Sequence, residues 1–360
     1  MLIFVIILFT VICSGLTVAG KNEFFGDYCS PRNTATVNGI FSVLIFLSHA
    51  CGYLKLGGVL DTPYLELRNF LGQLVVVTYL FYSGYGIMES VKKKGTQYVK
   101  AMPFNRFFKL WYHFAFAVIL FIATALLLKK DLDLKNTLLA FTGYTSVGNS
   151  NWYIFVTFAM YIIVIISFLV FKKSNKLALI CVFVLSGAFL YAEYKIGLPA
   201  RFYDTAICFP VGMLFSMLKP TIDKILMKND AVWCVGAVAV VGAFTYFSQN
   251  RKDSPIHHML FSVLFAAFVT LLLMKVNIKS TVLDWFGSHI FSFFILQRIP
   301  MMLLRQIAPN CSTLVFVGCS FICTVAAATI FDNITDKLDG LIFKKNKTVP
   351  NKIASTETAK

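Results

Sequence analysis

The stretch from Trp152 to Phe171, WYIFVTFAMYIIVIISFLVF, decides the fold class, because it contains no charged residue. A hydrocarbon core of about 30 Å requires about 20 apolar residues in an α-helix. A lipid-exposed backbone has to satisfy its own hydrogen bonds, and a run of this length without alternating polarity is typical of a helix and not of a barrel strand. The sequence therefore predicts a transmembrane helix near residues 151–171.

Similar apolar runs follow one another along the chain. Hydrophobic residues make up 58% of the sequence and charged residues only 14%, whereas a soluble domain carries about a quarter charged residues. The pattern predicts an all-α, polytopic transmembrane helix bundle of about eleven spans, with no separate soluble domain. The spans are placed near 2–19, 37–57, 69–91, 106–128, 151–171, 177–194, 203–218, 231–248, 257–275, 281–304 and 312–332.

The formal net charge of +16 comes from basic residues in short segments between the apolar runs. This distribution is typical of membrane topology and argues against nucleic-acid binding. The densest segment, 92–109, should be cytoplasmic by the positive-inside rule. If sides alternate from there, cytoplasmic segments hold about twice as many Lys and Arg residues as outer ones. We therefore predict a multi-pass protein of the cell membrane, with its N-terminus outside and its C-terminus in the cytoplasm.

The two ends of the chain differ from its apolar middle. No basic residue precedes the first span, and Lys21 and Arg32 follow it, so residues 1–20 are predicted to be an uncleaved N-terminal transmembrane anchor. Residues 333–360 become lysine-rich and polar and are predicted to be a cytoplasmic tail. The nine cysteines contain no CxxC pair and mostly lie in apolar runs, so we expect neither a disulfide framework nor a metal site.

One histidine lies deep in the second span, VNGIFSVLIFLSHACGYL, which runs from Val37 to Leu54. His49 ends the apolar part of this run, in the half of the bilayer predicted to face outward. An ionisable side chain is costly in hydrocarbon, which makes His49 a candidate catalytic residue. Taken alone, the position is also explained by a packed or hydrogen-bonded histidine.

Two further motifs lie near the predicted cytoplasmic side. In YLFYSGYGIMES, from Tyr79 to Ser90, the small residues at 83, 84 and 86 let a ligand or another helix approach closely. In FNRFFKLWYHF, Arg106, Lys109 and His113 are spaced by three and four residues and should share a helix face. That face suits phosphate groups, although snorkelling of the cations to the membrane surface explains it equally well.

The order of these motifs resembles that of the acyltransferase 3 family, integral membrane enzymes that acylate glycans. Members open their core with a helix bearing one histidine, followed by an SGY or SGF element, a basic motif, a Trp-aromatic pair and a late Gly-x-x-Ser-x-x-x-Tyr-Leu helix. The matching stretches are the helix of His49, FYSGYGI at 81–87, NRFFKL at 105–110, NSNWYIF at 149–155 and FGSHIFSFFILQRIPMMLL at 286–304. The resemblance covers residues 37–332 as a ten-helix core, to which the N-terminal helix is an addition.

The resemblance implies a membrane O-acyltransferase, here an O-acetyltransferase, embedded among membrane lipids. Its donor would be cytoplasmic acyl-CoA, in particular acetyl-CoA, with no further cofactor, and its acceptor a hydroxyl of a cell-surface glycan or polysaccharide precursor. The implied site residues are His49 as catalytic base, Arg106, Lys109, Ser83 and Tyr85 for acyl-CoA, and Trp152 and Tyr153 along the acyl channel. An interfacial aromatic belt is the alternative for the last pair.

The sequence departs from the family pattern at several motif positions. These are Asn38 in place of Arg or Lys, Lys109 in place of the second Arg of Arg-x-x-Arg, and Ile290 and Phe294 in place of Ser and Tyr. A lysine lacks the planar fork with which arginine binds phosphate in a bidentate manner. The group that orients His49 is open, with Asp204 as one candidate carboxylate.

A polytopic transporter or flippase of a lipid-linked glycan is the alternative function. Such a protein would be expected to place several Arg or Lys residues deep in different spans, whereas the candidate basic residues here cluster at span ends. That difference favours the enzyme. A sensor or scaffold gains no support, because the predicted tail is too short for a signalling domain.

Overall fold

The computed structural model describes residues 1–343, which are mostly helical, and the tail from Lys344 onward lies outside the described residues. The helices are α1 Leu2–Ser14, α2 Pro31–Ala50, α3 Thr62–Leu71, α4 Val77–Met102, α5 Lys109–Leu127, α6 Leu134–Ala140, α7 Trp152–Val170, α8 Asn175–Ile196, α9 Cys208–Leu226, α10 Asp230–Gln249, α11 Pro255–Lys275, α12 Thr281–Ser288, α13 Ile290–Leu296, α14 Arg298–Ile307 and α15 Thr313–Ile342. Two short strands, β1 Leu16–Val18 and β2 Val276–Ile278, pair antiparallel. The last helix, α15, ends at Ile342 and so continues beyond residue 332, into the stretch predicted as tail.

Eight helical segments of the described residues are long and apolar enough to cross a bilayer. One of them, Thr62–Leu127, contains α3, α4, a π-helix and α5, and so corresponds to two predicted spans. Large apolar side chains such as Val235 and Val238 on α10 are exposed, as expected of a surface that faces lipid. The prediction of an all-α, polytopic bundle is confirmed.

Three predicted spans differ in detail from the observed helices. α1 has 13 residues and is followed by β1, so it is shorter than the about 20 residues of a regular span. The predicted span 203–218 begins in a turn, and α9 starts only at Cys208. The predicted span 281–304 is divided into α12, α13 and α14. Pro300 accounts for the second of these breaks, because it has no N–H to donate to the carbonyl four residues back.

Glycines bring two pairs of helices into close contact. A Cβ on Gly84 of α4 would collide with the carbonyl oxygen of Phe209 in α9, and Gly212 of α9 packs on α4 in the same way. Gly39 and Gly287 relate α2 and α12 similarly. Small residues on both sides let the backbones touch, which is a common packing between transmembrane helices. These crossings position α4 and α2, the helices that carry the SGY element and His49.

Contacts between helix termini define two ends of the bundle. At one, here called the lysine end because it holds the basic segment 92–109, Lys109 of α5 pairs with Asp339 near the end of α15. At the other, here called the His49 end, Arg68 of α3 donates to Ser48 of α2 at 3.0 Å. These contacts agree with the alternation of sides on which the charge count rests.

Candidate active site

His49 lies in the last turn of α2, just before a 3-10 turn at Cys51–Tyr53. The helix starts at the N-cap Ser30, whose side chain accepts from the backbone N–H of Asn33. The His49 Nδ1 atom is buried and has no hydrogen-bond partner among the described residues. Buried polar atoms in folded proteins nearly always have a partner. The side chain therefore does not fit the interpretation of a hydrogen-bonded packing residue.

Two arginines flank His49. Arg298, the first residue of α14, and Arg68, in the last turn of α3, lie within electrostatic range of the imidazole ring. The Nε–H of Arg298 donates to the Tyr53 hydroxyl at 3.3 Å, and the Nε–H of Arg68 donates to Ser48 Oγ at 3.0 Å. Both guanidinium groups are thus held by hydroxyl groups on the segment that carries His49.

A cavity of about 140 Å³ lies between α4, α5, α7 and α13. It extends from Ser83 and Tyr161 to Phe294, whose ring centroid lies 6.2 Å from that of His49. The Tyr79 hydroxyl, also on its wall, bonds with Ser42 of α2 at 2.9 Å. The walls are mainly apolar and aromatic, so the cavity suits an acyl chain that approaches His49.

The SGY element meets three different surroundings. Ser83 lines the 140 Å³ cavity, while Gly84 packs on α9. Tyr85 borders a second cavity of about 760 Å³ at the lysine end. The two interpretations of the small residues thus apply to different positions: Gly84 serves helix packing, and Ser83 borders space that a ligand can enter.

Arg106 and Lys109 do not share one helix face as their spacing predicts. The reason is a π-helix at Pro103–Phe108, whose wider turn changes the angle between the two side chains. Arg106 lies close to Tyr98 and Tyr161, and Tyr161 belongs to the wall of the 140 Å³ cavity. Arg106 is exposed and does not line the cavity, and Tyr161 is its neighbour on the cavity wall.

Lys109 turns instead toward α15. Its ammonium group forms an ion pair with Asp339, and His113 Nε2 lies 3.1 Å from the same carboxylate. The Tyr112 hydroxyl also donates to Asp339. This cluster ties α5 to α15, so Lys109 already has an anionic partner within the chain.

The 760 Å³ cavity has walls of both charges. Lys92 and Lys219 line it, and each is paired with a carboxylate on its own helix: Lys92 with Glu89 at 2.6 Å and Lys219 with Asp223 at 2.5 Å. Lys93 also lines it and is exposed. The size and polarity of this cavity suit a large polar ligand at the lysine end.

Tyr153 and Trp152, which open α7, occupy different places. Tyr153 lines the 140 Å³ cavity, with its ring 6.1 Å from that of Tyr79 and 5.9 Å from that of Phe294. The ring centroid of Trp152 lies 6.0 Å from that of Tyr153, and Trp152 does not line the cavity. The channel interpretation therefore fits Tyr153 directly and Trp152 only as its support.

Asp204, considered as the partner of His49, faces another histidine. Its Oδ2 atom lies 3.7 Å from Nδ1 of His258, in the turn before α9. Burial raises the pKa of Asp204 to about 7. The carboxyl group is thus part of a separate contact between that turn and α11.

Sequence reasoning missed the two arginines beside His49. For Arg298 a signal was available, because it is an ionisable residue inside the predicted span 281–304, the same argument that singled out His49. Arg68 gave no such signal, since it precedes its predicted span. Only the fold brings α3 and α14 to the same histidine.

Comparison with known proteins gives one match. The model of a protein family described as an acyltransferase domain matches residues 37–332, the range of the ten-helix core predicted from the motifs. No curated protein and no solved structure gives a significant match to the chain.

Proposed function

The chain belongs to the acyltransferase 3 family, and from this premise we propose that it moves an acyl group from cytoplasmic acyl-CoA to a hydroxyl of a cell-surface glycan or polysaccharide precursor. The proposed acyl group is acetyl. Such a reaction needs a path between two sides of a membrane, because the donor is made in the cytoplasm and the acceptor lies outside.

The observation that carries the proposal is the series of neighbouring groups between Arg106 and His49. Arg106 lies close to Tyr161, which lines the 140 Å³ cavity together with Ser83. The cavity ends at Phe294, next to the His49 ring. An acyl thioester whose phosphates stay at the lysine end would extend its acyl group along this path toward the histidine.

At the lysine end, Arg106 and Lys109 would bind the phosphates of CoA, with Ser83 beside the thioester end of the pantetheine arm in the 140 Å³ cavity and Tyr85 beside the nucleotide part. A guanidinium group can bind phosphate through two parallel hydrogen bonds. Lys109 has to share its ammonium group with Asp339, so Arg106 should carry the larger part of the phosphate affinity. The 760 Å³ cavity beside Tyr85 offers room for the nucleotide part of CoA.

At the His49 end, the imidazole would accept the proton of the acceptor hydroxyl while the hydroxyl oxygen attacks the thioester carbonyl. The carbon–sulfur bond then breaks, and the departing CoA thiolate takes up the proton from His49. The unpartnered Nδ1 supports this role, because it has a free lone pair or proton for a substrate. In the alternative route, the imidazole nitrogen attacks the thioester and the CoA thiolate leaves. The acceptor hydroxyl then attacks the acyl-imidazole, the nitrogen–acyl bond breaks, and the proton of the hydroxyl passes to the departing CoA thiolate by way of the imidazole.

The test is a transfer assay with purified protein in liposomes that contain acyl-CoA and expose an acceptor glycan outside. Mass analysis of the surface polysaccharide, from cells with and without the protein, identifies the acceptor. The expected result is an added acyl group that depends on both the protein and acyl-CoA. Movement of an unmodified lipid-linked glycan across the membrane, without acylation, would replace the proposal by the transporter.

A further inference from the structure

We propose that Arg298 and Arg68 form an anion-binding subsite beside His49, which receives a carboxylate or phosphate group of the acceptor. The geometry of the two arginines supports the subsite itself. That the bound anion belongs to the acceptor rests on the proposed function. It narrows the acceptor from any glycan to one that carries a negative charge near the hydroxyl to be acylated.

Each guanidinium group is anchored on one side only. The single hydrogen bond of Arg298 to the chain runs from Nε to Tyr53, and that of Arg68 from Nε to Ser48, among the described residues. The Nη groups make none of the hydrogen bonds found in this part of the chain. Because Tyr53 and Ser48 flank His49 in sequence, both sets of Nη donors are held close to the imidazole and remain available.

The charges of these two arginines are also unneutralised. Of the ion pairs formed by residues 1–343, none includes Arg298 or Arg68. Both side chains are only partly exposed, and an arginine in the membrane normally faces a partner charge or a water-filled space. A bound anion would supply the partner that the chain does not.

The nearest alternative is that the arginines stabilise only the oxyanion that forms on the thioester carbonyl. Such a role would affect the reaction rate for every acceptor, charged or neutral, without changing acceptor binding. An acceptor subsite would instead distinguish charged from neutral acceptors before any reaction. The free Nη donors of each guanidinium group can bond with two oxygens of a carboxylate or of a phosphate, which favours the subsite.

The experiment measures binding without acyl-CoA, so that it stays informative if no transfer occurs. The probes are three trisaccharides that differ only in their last sugar, which is galacturonate, galactose 6-phosphate or galactose. Binding to the purified protein is measured by calorimetry in the His49→Ala background. We expect one anionic probe to bind at least about tenfold more tightly than the galactose probe. This difference in affinity is typical of one charge-assisted hydrogen bond.

Arg298→Gln and Arg68→Gln should each remove that preference and leave the affinity for galactose unchanged. Arg305→Gln is the matched control, because Arg305 lies on α14 together with Arg298 and its guanidinium group donates to the backbone carbonyl of Pro309. It should keep the preference. Whether galacturonate or galactose 6-phosphate shows the preference identifies the anion as carboxylate or phosphate.

Equal binding of all three probes, or a preference that survives both substitutions, would overturn the subsite. So would variants whose binding is intact and whose transfer to charged and neutral acceptors falls equally. If a glutamine variant fails to fold, the wild-type protein still decides the question: the affinity for the anionic probe should fall as NaCl rises, and a salt-independent affinity contradicts the proposal.

Discussion

The two ends of the bundle hold their cations in different ways. At the lysine end, Lys92, Lys109 and Lys219 are each paired with a carboxylate of the chain, whereas Lys93 and Arg106 form no ion pair among the described residues. At the His49 end, Arg68 and Arg298 are held only through Nε, by hydroxyl groups. The lysine end is richer in basic residues, yet the His49 end holds the pair of arginines without an anionic partner among the described residues.

The number of basic residues at one end of the bundle and the place where an anionic ligand can bind are therefore separate properties. Basic residues near the membrane surface set topology, and at the lysine end three of them pair with carboxylates of the chain. A partly buried guanidinium group without a counter-charge in the chain is a favourable place for an anion from outside the chain. We therefore expect the cations without an ion pair, Arg106 at the lysine end and Arg68 and Arg298 at the His49 end, to contribute most to the binding of charged ligands.

The largest expected effect concerns the sides of the membrane on which the two ends of the bundle lie. We expect the two ends on opposite sides, and thiol labelling gives an all-or-none test. Leu132→Cys and Lys94→Cys, each in a background without native cysteines, are treated with an impermeant thiol reagent from outside the cell. We expect complete labelling at position 132 and none at 94, with both labelled after detergent treatment. Lys94 is preferable to the adjacent Gly95, whose φ of +57° disfavours a side chain. Labelling only at 94 would reverse the route of the acyl group.

The next largest effect separates the histidines of the two ends. His49→Ala should lower the rate of acyl transfer by about 10² to 10⁴, the usual loss of a general base, while acyl-CoA binding stays near normal. His113→Ala is the control at the lysine end, because its ring is already engaged with Asp339. Transfer by His49→Ala at the wild-type rate, at equal protein level, would remove His49 from the mechanism.

A smaller effect compares the two cations of the basic motif. Arg106→Ala should weaken acyl-CoA binding by about 1.5 to 3 kcal/mol if a charge-assisted contact to phosphate is lost. Lys109→Ala should weaken it less, because Lys109 divides its charge between phosphate and Asp339. Calorimetric titration with acyl-CoA measures both. Unchanged binding by a well-folded Arg106→Ala variant would mean that Arg106 only snorkels to the surface.

The sequence predicted the class of fold and the order of the motifs because both depend on local patterns. Apolar runs of span length determine helices in lipid, and a histidine inside one of them is visible without a structure. The family range of residues 37–332 followed from the same motifs. These features need no knowledge of which helices are neighbours.

The arrangement around His49 could not be predicted, because it depends on breaks in regular helix geometry. The spacing of Arg106 and Lys109 indicates one face only if the helix is α throughout, and the π-helix at Pro103–Phe108 changes that. Arg298 reaches His49 from the start of α14, after a break that the span prediction did not contain. Local patterns do not encode which side chains such breaks bring together.

The smallest expected effect concerns Asp204 at the His49 end, whose buried carboxyl group lies 3.7 Å from His258. Burial raises its pKa to about 7, so the folded protein holds this proton more tightly than the unfolded chain. The group then costs the folded state nothing below about pH 4, and its cost grows as the pH rises and is complete above about pH 7. The Asp204 carboxyl group is thus protonated in acidic solution and becomes ionised as the pH rises through about 7.

Asp204→Asn should remove this pH-dependent cost, because an amide stays neutral at every pH. Thermal unfolding of the purified protein should show the variant gaining stability relative to wild type between pH 5 and pH 8, by a few degrees in Tm. Asp253→Asn, which changes an exposed carboxylate before α11, is the matched control and should run parallel to wild type. If Asp204→Asn also runs parallel, the carboxyl group is ionised at pH 5 already, held in that form by His258 at 3.7 Å. The His49 end would then contain a buried anion, and its contrast with the lysine end would be weaker than the ion pairs indicate.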